Sequence, residues 1–363
     1  MLLRLWSKGF RNLKETVLEL DRGQSCFIFG KNNQGKTNFL ESIYYLGNGG
    51  SPVEKVTENL IHFDFYDTLL GADFLSNDEL NRVYVKYSRS GERQVQVNHE
   101  SVQGKSGATP INVDFISSDI LRVFQESAGR RRLELDRFCK RLFDDYSPVL
   151  KQLEKALLQK NMALKQRRSL SDINLFNQRI AELSELVVRF REQALGMITL
   201  ELIDLSKEVF SNRTYPLHCY YQIYNGPKTK PEHYITWLVQ LFESGYEKEL
   251  SLGFSMAGAQ RDDFKIELDG RDLVSFYSRG MNRTYAILLK LAQLIVVEKK
   301  NGGFPILLLD DTFSELDSDI KSSLISALEK RAQLFYVSTL KEDARLFKCV
   351  CVSEMKAGQL VHV

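Results

Sequence analysis

No run of apolar residues in this chain approaches the ~20 that a membrane-crossing helix needs, which excludes a helical membrane protein. The opening MLLRLWSKGFRNLKE lacks the charged, then apolar, then small-residue order of a secretion signal, so export is not expected and a cytoplasmic location is. Cysteine is sparse: Cys26, Cys139, Cys219, Cys349 and Cys351 are odd in number and show no CxxC spacing, which argues against a disulfide framework or a zinc site. A strong charge of one sign is also missing. The net charge of +2 gives no global sign of a nucleic-acid partner. Helix breakers are scarce in one long region, because no proline falls between Pro148 and Pro216 and Gly196 is the single glycine there. That region is predicted to be almost entirely helical. No internal repeat or low-complexity segment is visible.

At 363 residues the chain exceeds the usual size of a single core, so one large domain with an insertion, or two lobes, is expected. Hydrophobic residues make up 43% and charged residues 26%, which suits a globular protein with a sizeable core. In the proline-free region Phe176, Ile180, Leu183, Val187, Phe190, Ala194 and Met197 recur at alternating spacings of four and three, the seam of a left-handed helix pair. Leu150, Leu153, Leu157 and Leu164 mark an earlier helix, and RRSLSDIN (167–174) supplies the turn, with Ser169 or Ser171 as N-cap. The pattern describes a short antiparallel helical arm, with core packing as its purpose. Residues 122–168 carry thirteen Lys/Arg against six acids. Such a stretch is either a stripe for a phosphate backbone or a solvated helix face.

On both sides of the arm the texture changes to apolar runs of strand length, Cys26–Phe29, Ile306–Leu309, Leu334–Val337 and Cys349–Val352, which read as buried strands. Between 216 and 257, Pro216, Asn225–Gly226–Pro227 and Pro231 mark a loop-rich return. The organisation expected is α/β: residues 1–125 as the N-terminal half of one lobe, 126–250 as the inserted arm, and 251–363 as the C-terminal half.

Two constellations carry chemistry. The segment SCFIFGKNNQGKTNFLESIYYLG reads as strand, glycine loop and helix, the context in which GxxxxGK[ST] is a phosphate-binding loop. Gly30 and Gly35 free the backbone so that the N–H groups of Lys31, Asn32, Asn33, Gln34 and the residues through Asn38 can face phosphate oxygens. Lys36 would reach the β- and γ-phosphates of a nucleoside triphosphate, ATP, and the Thr37 hydroxyl would ligate Mg²⁺. In FPILLLDDTFSELD (304–317) an apolar strand ends in two carboxylates. Asp310 is placed for the metal shell and Asp311 to orient or deprotonate the attacking water; a capping turn is the alternative. About three quarters of the chain separates Lys36 from Asp310, which argues against a compact GTPase or a simple AAA+ module and requires a large insertion.

These motifs, with GFRN (9–12), SAGRRRLELDRF (127–138), QKN (159–161), GAQRDDFKIELDG (258–270) and YSRGMNRTYAILLKLAQL (277–294), occur in an order that resembles the RecF family over essentially the full length. RecF is the bacterial recombination and repair branch of the SMC/ABC-type ATPases. The resemblance implies an ABC/SMC-type P-loop ATPase lobe with a short helical, coiled-coil-like arm. It implies two subunits that sandwich ATP, the phosphate loop of one facing the signature of the other. On this chain that signature falls at Ser278 and Gly280. Asp317 falls in a loop at the dimer interface, Arg11 near the nucleotide, and Ser338–Thr339 in a switch region. It further implies an ATP-dependent homodimer with slow hydrolysis, double-stranded and gapped DNA as ligand, and RecO and RecR, and through them RecA, as partners. The Arg130–Arg131–Arg132 run is then either a DNA backbone contact, a link between lobe and arm, or a solvated turn.

The chain departs from the family pattern in three places. Met281 stands where S-x-G-Q has glutamine, GAQRDD where GPHRDD is usual, and SSD (117–119) where proline-glutamate follows the strand. Losing the amide at 281 removes a hydrogen-bonding group near the subunit interface. The alternative is therefore an ATP-binding interaction protein that no longer hydrolyses. A long-armed SMC protein is disfavoured by the short arm, and a transporter ATPase by the lack of any docking feature.

Overall fold

The computed structural model describes residues 1–363 apart from 55, 77, 103–108, 110, 118–126, 211–214, 228–229, 314–315, 349 and 363. In chain order the elements are β1 (Leu2–Phe10), β2 (Leu13–Glu19), β3 (Ser25–Phe29), α1 (Lys36–Asn48), β4 (Asp67–Ser76), β5 (Glu79–Ser88), β6 (Arg93–Val97), β7 (Glu100–Ser101) and β8 (Val113–Ile116). There follow α2 (Ala128–Leu142), α3 (Tyr146–Lys165), α4 (Leu170–Val209), β9 (Leu217–Gln222), α5 (Tyr234–Ser244), α6 (Tyr246–Leu252), β10 (Asp263–Leu268), β11 (Arg271–Asp272) and α7 (Leu273–Phe276). The chain closes with α8 (Arg279–Asn301), β12 (Ile306–Asp310), α9 (Ser318–Glu329), β13 (Gln333–Ser338), β14 (Val350–Lys356) and β15 (Gln359–His362). Two compact units result: Met1–Arg122 with Asp204–Thr214 and Arg279–Val363, and Val123–Ile203 with Tyr215–Ser278.

The first unit holds two sheets. One is antiparallel, in the order β2-β1-β4-β5-β6-β7, and its strands alternate in burial: along β5, Val83, Val85 and Tyr87 point inward. The other runs β15-β14-β3-β13-β12-β8 and is parallel apart from β15. Its central strands are buried on both faces, which is why they read as unbroken apolar runs rather than alternations. Helix α1 packs on strands of both sheets, and Phe39, Leu40, Ile43 and Leu46 join the common core. Trp6 lies across Gly71, where an added Cβ would come within 2.1 Å of the indole ring.

The second unit contains the arm. The seam residues Ile180, Leu183, Val187 and Ala194 are buried along α4, as are Leu150, Leu153, Leu157 and Leu164 on α3. Ser169 stands just before α4, where its hydroxyl accepts from Asp172 N–H at 3.4 Å. A small sheet, β11-β10-β9, completes the unit.

Two differences from the sequence-based expectation stand out. The return at 216–257 is not mainly loop, since it contains β9, α5 and α6. Its prolines and Asn-Gly pair obscure an amphipathic helix whose Tyr234, Leu238 and Phe242 are buried at helical spacing. The boundary expected at 251 falls inside the second unit, which continues to Ser278 because β10 pairs with β9 rather than with the nucleotide-lobe strands.

Candidate functional site

The candidate site forms where β3, in the interior of the parallel sheet, runs into α1. Residues 30–35 make the turn, and Gly35 caps the helix at φ 106°, a conformation that disfavours any side chain. An added Cβ at Gly30 would stand 2.7 Å from the Met355 carbonyl oxygen. Either glycine replaced would therefore distort the loop. The first-turn N–H groups of α1 have no intrahelical acceptors and, with the helix dipole, make this end of α1 suited to an anion. Lys31, Asn32 and Asn33 are exposed, whereas Lys36 is buried. The Lys36 ammonium donates to the carbonyls of Gly30 at 2.7 Å and Lys31 at 2.9 Å, arching over the loop. Burial lowers its pKa from the usual lysine value, opposed by the charges of Asp310 and Asp311.

Strand β12 lies one strand away from β3, with β13 between them. Its last residue, Asp310, accepts a hydrogen bond from the Thr37 hydroxyl at 2.8 Å. Burial raises the pKa of Asp310, and the adjacent Asp311 adds to the rise, while Thr37 and Lys36 act the other way. A hydroxyl and a carboxylate in contact form a hard oxygen pair, which fits Mg²⁺; that ion takes one or two protein oxygens and completes its shell with water and phosphate. Asp311 is exposed, has φ 48°, and donates its N–H to Val337 O at 3.0 Å, so the chain turns sharply between the two carboxylates.

The structure thus brings together Gly30, Lys31, Lys36, Thr37 and Asp310. Arg11 is held against α1: its guanidinium makes two bonds to Glu41, at 2.9 and 3.0 Å, and approaches Glu54 at 3.6 Å. Asn38 donates to Asn12 at 2.8 Å. Ser278 is exposed at the end of the second unit, and Gly280 lies in the first turn of α8, which belongs to the first unit. Asp317 is exposed at the N-cap of α9, and Ser314 and Glu315 of the same motif lie outside the described residues, as do Ser118 and Asp119 of SSD. At the end of β13, where the resemblance implies a switch, the Ser338 hydroxyl donates to Asp343 at 3.0 Å.

Three supporting features are not evident from the sequence. Gln34 fastens the loop to the β14–β15 turn, accepting from Ala357 N–H at 2.7 Å and, through its carbonyl, from Gly358 N–H at 3.0 Å. Glu41, only 1% exposed, fixes Arg11. Asn12 packs against Gly35. Asn12 and Glu41 lie within the GFRN and NFLES runs, but their partners are distant in sequence. The arginine run turns inward. Arg131 forms a two-point pair with Asp263 at 2.8 and 2.7 Å, and Arg132 donates to the Asp262 carbonyl at 2.6 Å. Arg131 and Arg132 therefore tie α2 to the RDD segment within the second unit, and the solvated-turn reading fails for Arg131, which is 7% exposed. In QKN, Lys160 pairs with Glu249 at 2.7 Å and Asn161 accepts from Ser255 N–H at 2.8 Å.

Along residues 1–353 the chain matches the RecF/RecN/SMC N-terminal domain. The chain belongs to that family. Among family members it is similar to the DNA replication and repair protein RecF of Clostridium kluyveri, 28% identical over 93% of this chain and 92% of that one. It is equally similar to RecF of Halothermothrix orenii, 28% identical over 93% of this chain and 91% of the relative. A solved RecF–ATP structure, described as a recombination mediator in the RecFOR pathway, superposes with a TM-score of 0.81 at 27% identity, covering 100% of this chain and 97% of that one. The Smc head bound to the winged-helix domain of ScpA, at 14% identity and a TM-score of 0.56, shares the fold. The fold is the ABC/SMC-type α/β fold of this family. Among the described residues no helix is long and apolar enough to cross a membrane.

Proposed function

We propose that this family member is an ATP-binding protein of DNA replication and repair in which the loop at 30–37 holds the triphosphate, Thr37 and Asp310 hold Mg²⁺, and Asp311 orients water for slow hydrolysis. The observation that carries the reading is the 2.8 Å contact between the Thr37 hydroxyl at the loop and the Asp310 carboxylate at the end of β12. Lys36 neutralises charge on the phosphates. The solved relative with ATP bound supports ATP as the nucleotide. On this reading two copies close on ATP, with Ser278, Gly280 and Asp317 of one copy facing the loop of the other. The dimer then holds double-stranded DNA beside single-strand gaps and acts with RecO and RecR to place RecA. Sedimentation of wild type and Lys36→Arg with and without ATP and Mg²⁺ tests it. Wild type should dimerise and bind duplex DNA more tightly with ATP, and the variant should do neither. A wild type indifferent to ATP sinks the proposal.

The second reading, nucleotide binding without hydrolysis, is favoured by Met281, which places a thioether beside Gly280 where the family carries an amide. Phosphate release separates the two. Hydrolysis gives a rate that falls by roughly tenfold or more in Asp311→Asn and rises in Met281→Gln; binding alone gives the same background in all three proteins.

A further inference from the structure

Cys26 on β3 and Cys351 on β14 are direct partners in the parallel register of the two strands. Their side chains therefore share one face of the sheet, with strand spacing of about 4.8 Å between them. A disulfide accepts Cα separations of roughly 4.4–6.8 Å and needs Cβ atoms within about 4.5 Å, so only a small closure of the strands is required. His362 on β15 stands on the far side of Cys351, its Nδ1 4.0 Å from the Cys351 sulfur and 3.2 Å from the Ser353 hydroxyl. Cys351 is half-buried and Cys26 is buried, so a small oxidant meets Cys351 first. The hydrogen bond from the Cys26 thiol, with help from His362 and Ser353, lowers the Cys351 pKa to about 6 against the effect of burial. The same contact, and after it burial, raises Cys26 well above the ordinary thiol value, which keeps its proton in place. The two thiols are thus unequal, one a ready nucleophile and the other a proton-bearing neighbour.

We propose that Cys351 is a peroxide-reactive thiol and that Cys26 resolves it to a reversible disulfide between β14 and β3. The Cys351 thiolate attacks a peroxide oxygen, the O–O bond breaks, and an S–O bond forms as hydroxide leaves and is protonated to water. The Cys26 sulfur then attacks the sulfenic sulfur, the S–O bond breaks, and the departing hydroxide takes the Cys26 proton. For hydrogen peroxide the balance is two thiols and one peroxide giving one disulfide and two waters. Closing the bond draws together the strand that enters the 30–35 loop and the strand whose Met355 carbonyl abuts Gly30.

The test uses the full chain carrying Cys349→Ser, which removes the neighbouring thiol, treated with one equivalent of hydrogen peroxide and then alkylated. Peptide mapping should show Cys26 joined to Cys351 while Cys139 and Cys219 are alkylated, with dithiothreitol reversing the link. In Cys26→Ala or Cys26→Ser, whichever keeps the wild-type circular dichroism, Cys351 should accumulate as a sulfenic acid trapped by dimedone. Cys351→Ser should lose both products. Oxidation of Cys351 no faster than that of Cys139 and Cys219, or a Cys351 sulfenic acid that never yields the link to Cys26, overturns the proposal. Neither readout needs nucleotide, so failure of the nucleotide reading is seen separately.

Discussion

Asp310 combines two demands that conflict. On the proposed reading its carboxylate must be charged to hold Mg²⁺, yet burial favours the neutral acid, and the Asp311 charge beside it adds to that preference. The Thr37 bond offsets this in part. Asp310→Asn keeps an acceptor for Thr37 and removes the buried charge. The variant is expected to be more stable than wild type by on the order of 1 kcal/mol in urea denaturation without nucleotide, and to lose Mg²⁺-dependent nucleotide binding. A variant less stable than wild type would show that the charge is compensated by Lys36. The Asp310–Thr37 partnership was legible in the sequence because both motifs are short and local: an apolar strand ending in acids, and a glycine loop ending in Lys-Thr. Arg11 was legible only in part. The resemblance implies a place near the nucleotide, whereas its grip on Glu41 depends on how β1 packs against α1, which no local spacing encodes.

At the scale of elements, the loop depends on a turn more than three hundred residues away in sequence. Gln34 bonds to Ala357 and Gly358, and Gly358, at φ 77°, sits so close to the start of β2 that an added Cβ would stand 2.1 Å from the Asn12 carbonyl oxygen. Gly358→Ala must move the β14–β15 turn or the chain at Asn12, and it also forces alanine into the left-handed region. A loss of about 1–3 kcal/mol in stability is expected, together with weaker nucleotide binding through Gln34, although residue 358 touches no nucleotide. Titration with a fluorescent ATP analogue, beside thermal denaturation, checks both. Unchanged affinity in a destabilised variant would show that the loop is held by α1 alone. The same dependence on distant pairing limited the reading of the return at 216–257. Its composition signals turns, while β9 is a strand because β10 pairs with it.

For the molecule as a whole, a buried acid in the second unit adds one component to how stability varies with pH. Asp262 is 1% exposed; it accepts bonds from the Tyr221 hydroxyl and the Tyr224 N–H, both at 2.9 Å. Burial outweighs these bonds and the nearby Arg191 and Arg132 charges, and its pKa rises from 3.8 to about 6. The sign follows from proton binding. Between pH ~4 and ~6 the folded chain holds this proton more tightly than the unfolded chain, so its contribution to stability is present at the acid end and is lost as pH rises through about 6. Two pKa units correspond to about 3 kcal/mol, an upper bound where arginines stand close. Other groups act oppositely: Asp272 and Glu208 have lowered pKa values, and their contribution is lost as pH falls. The net curve therefore does not isolate Asp262, but a difference does. Asp262→Asn removes this titration alone. Urea denaturation of variant and wild type at pH 4.5 and 7 should show the variant gaining on wild type by about 1–3 kcal/mol as pH rises. A constant difference across that range would show that Arg132 and Arg191 hold Asp262 ionised throughout, making the RDD segment an ion-pair anchor for α2 and α4 rather than a buried acid.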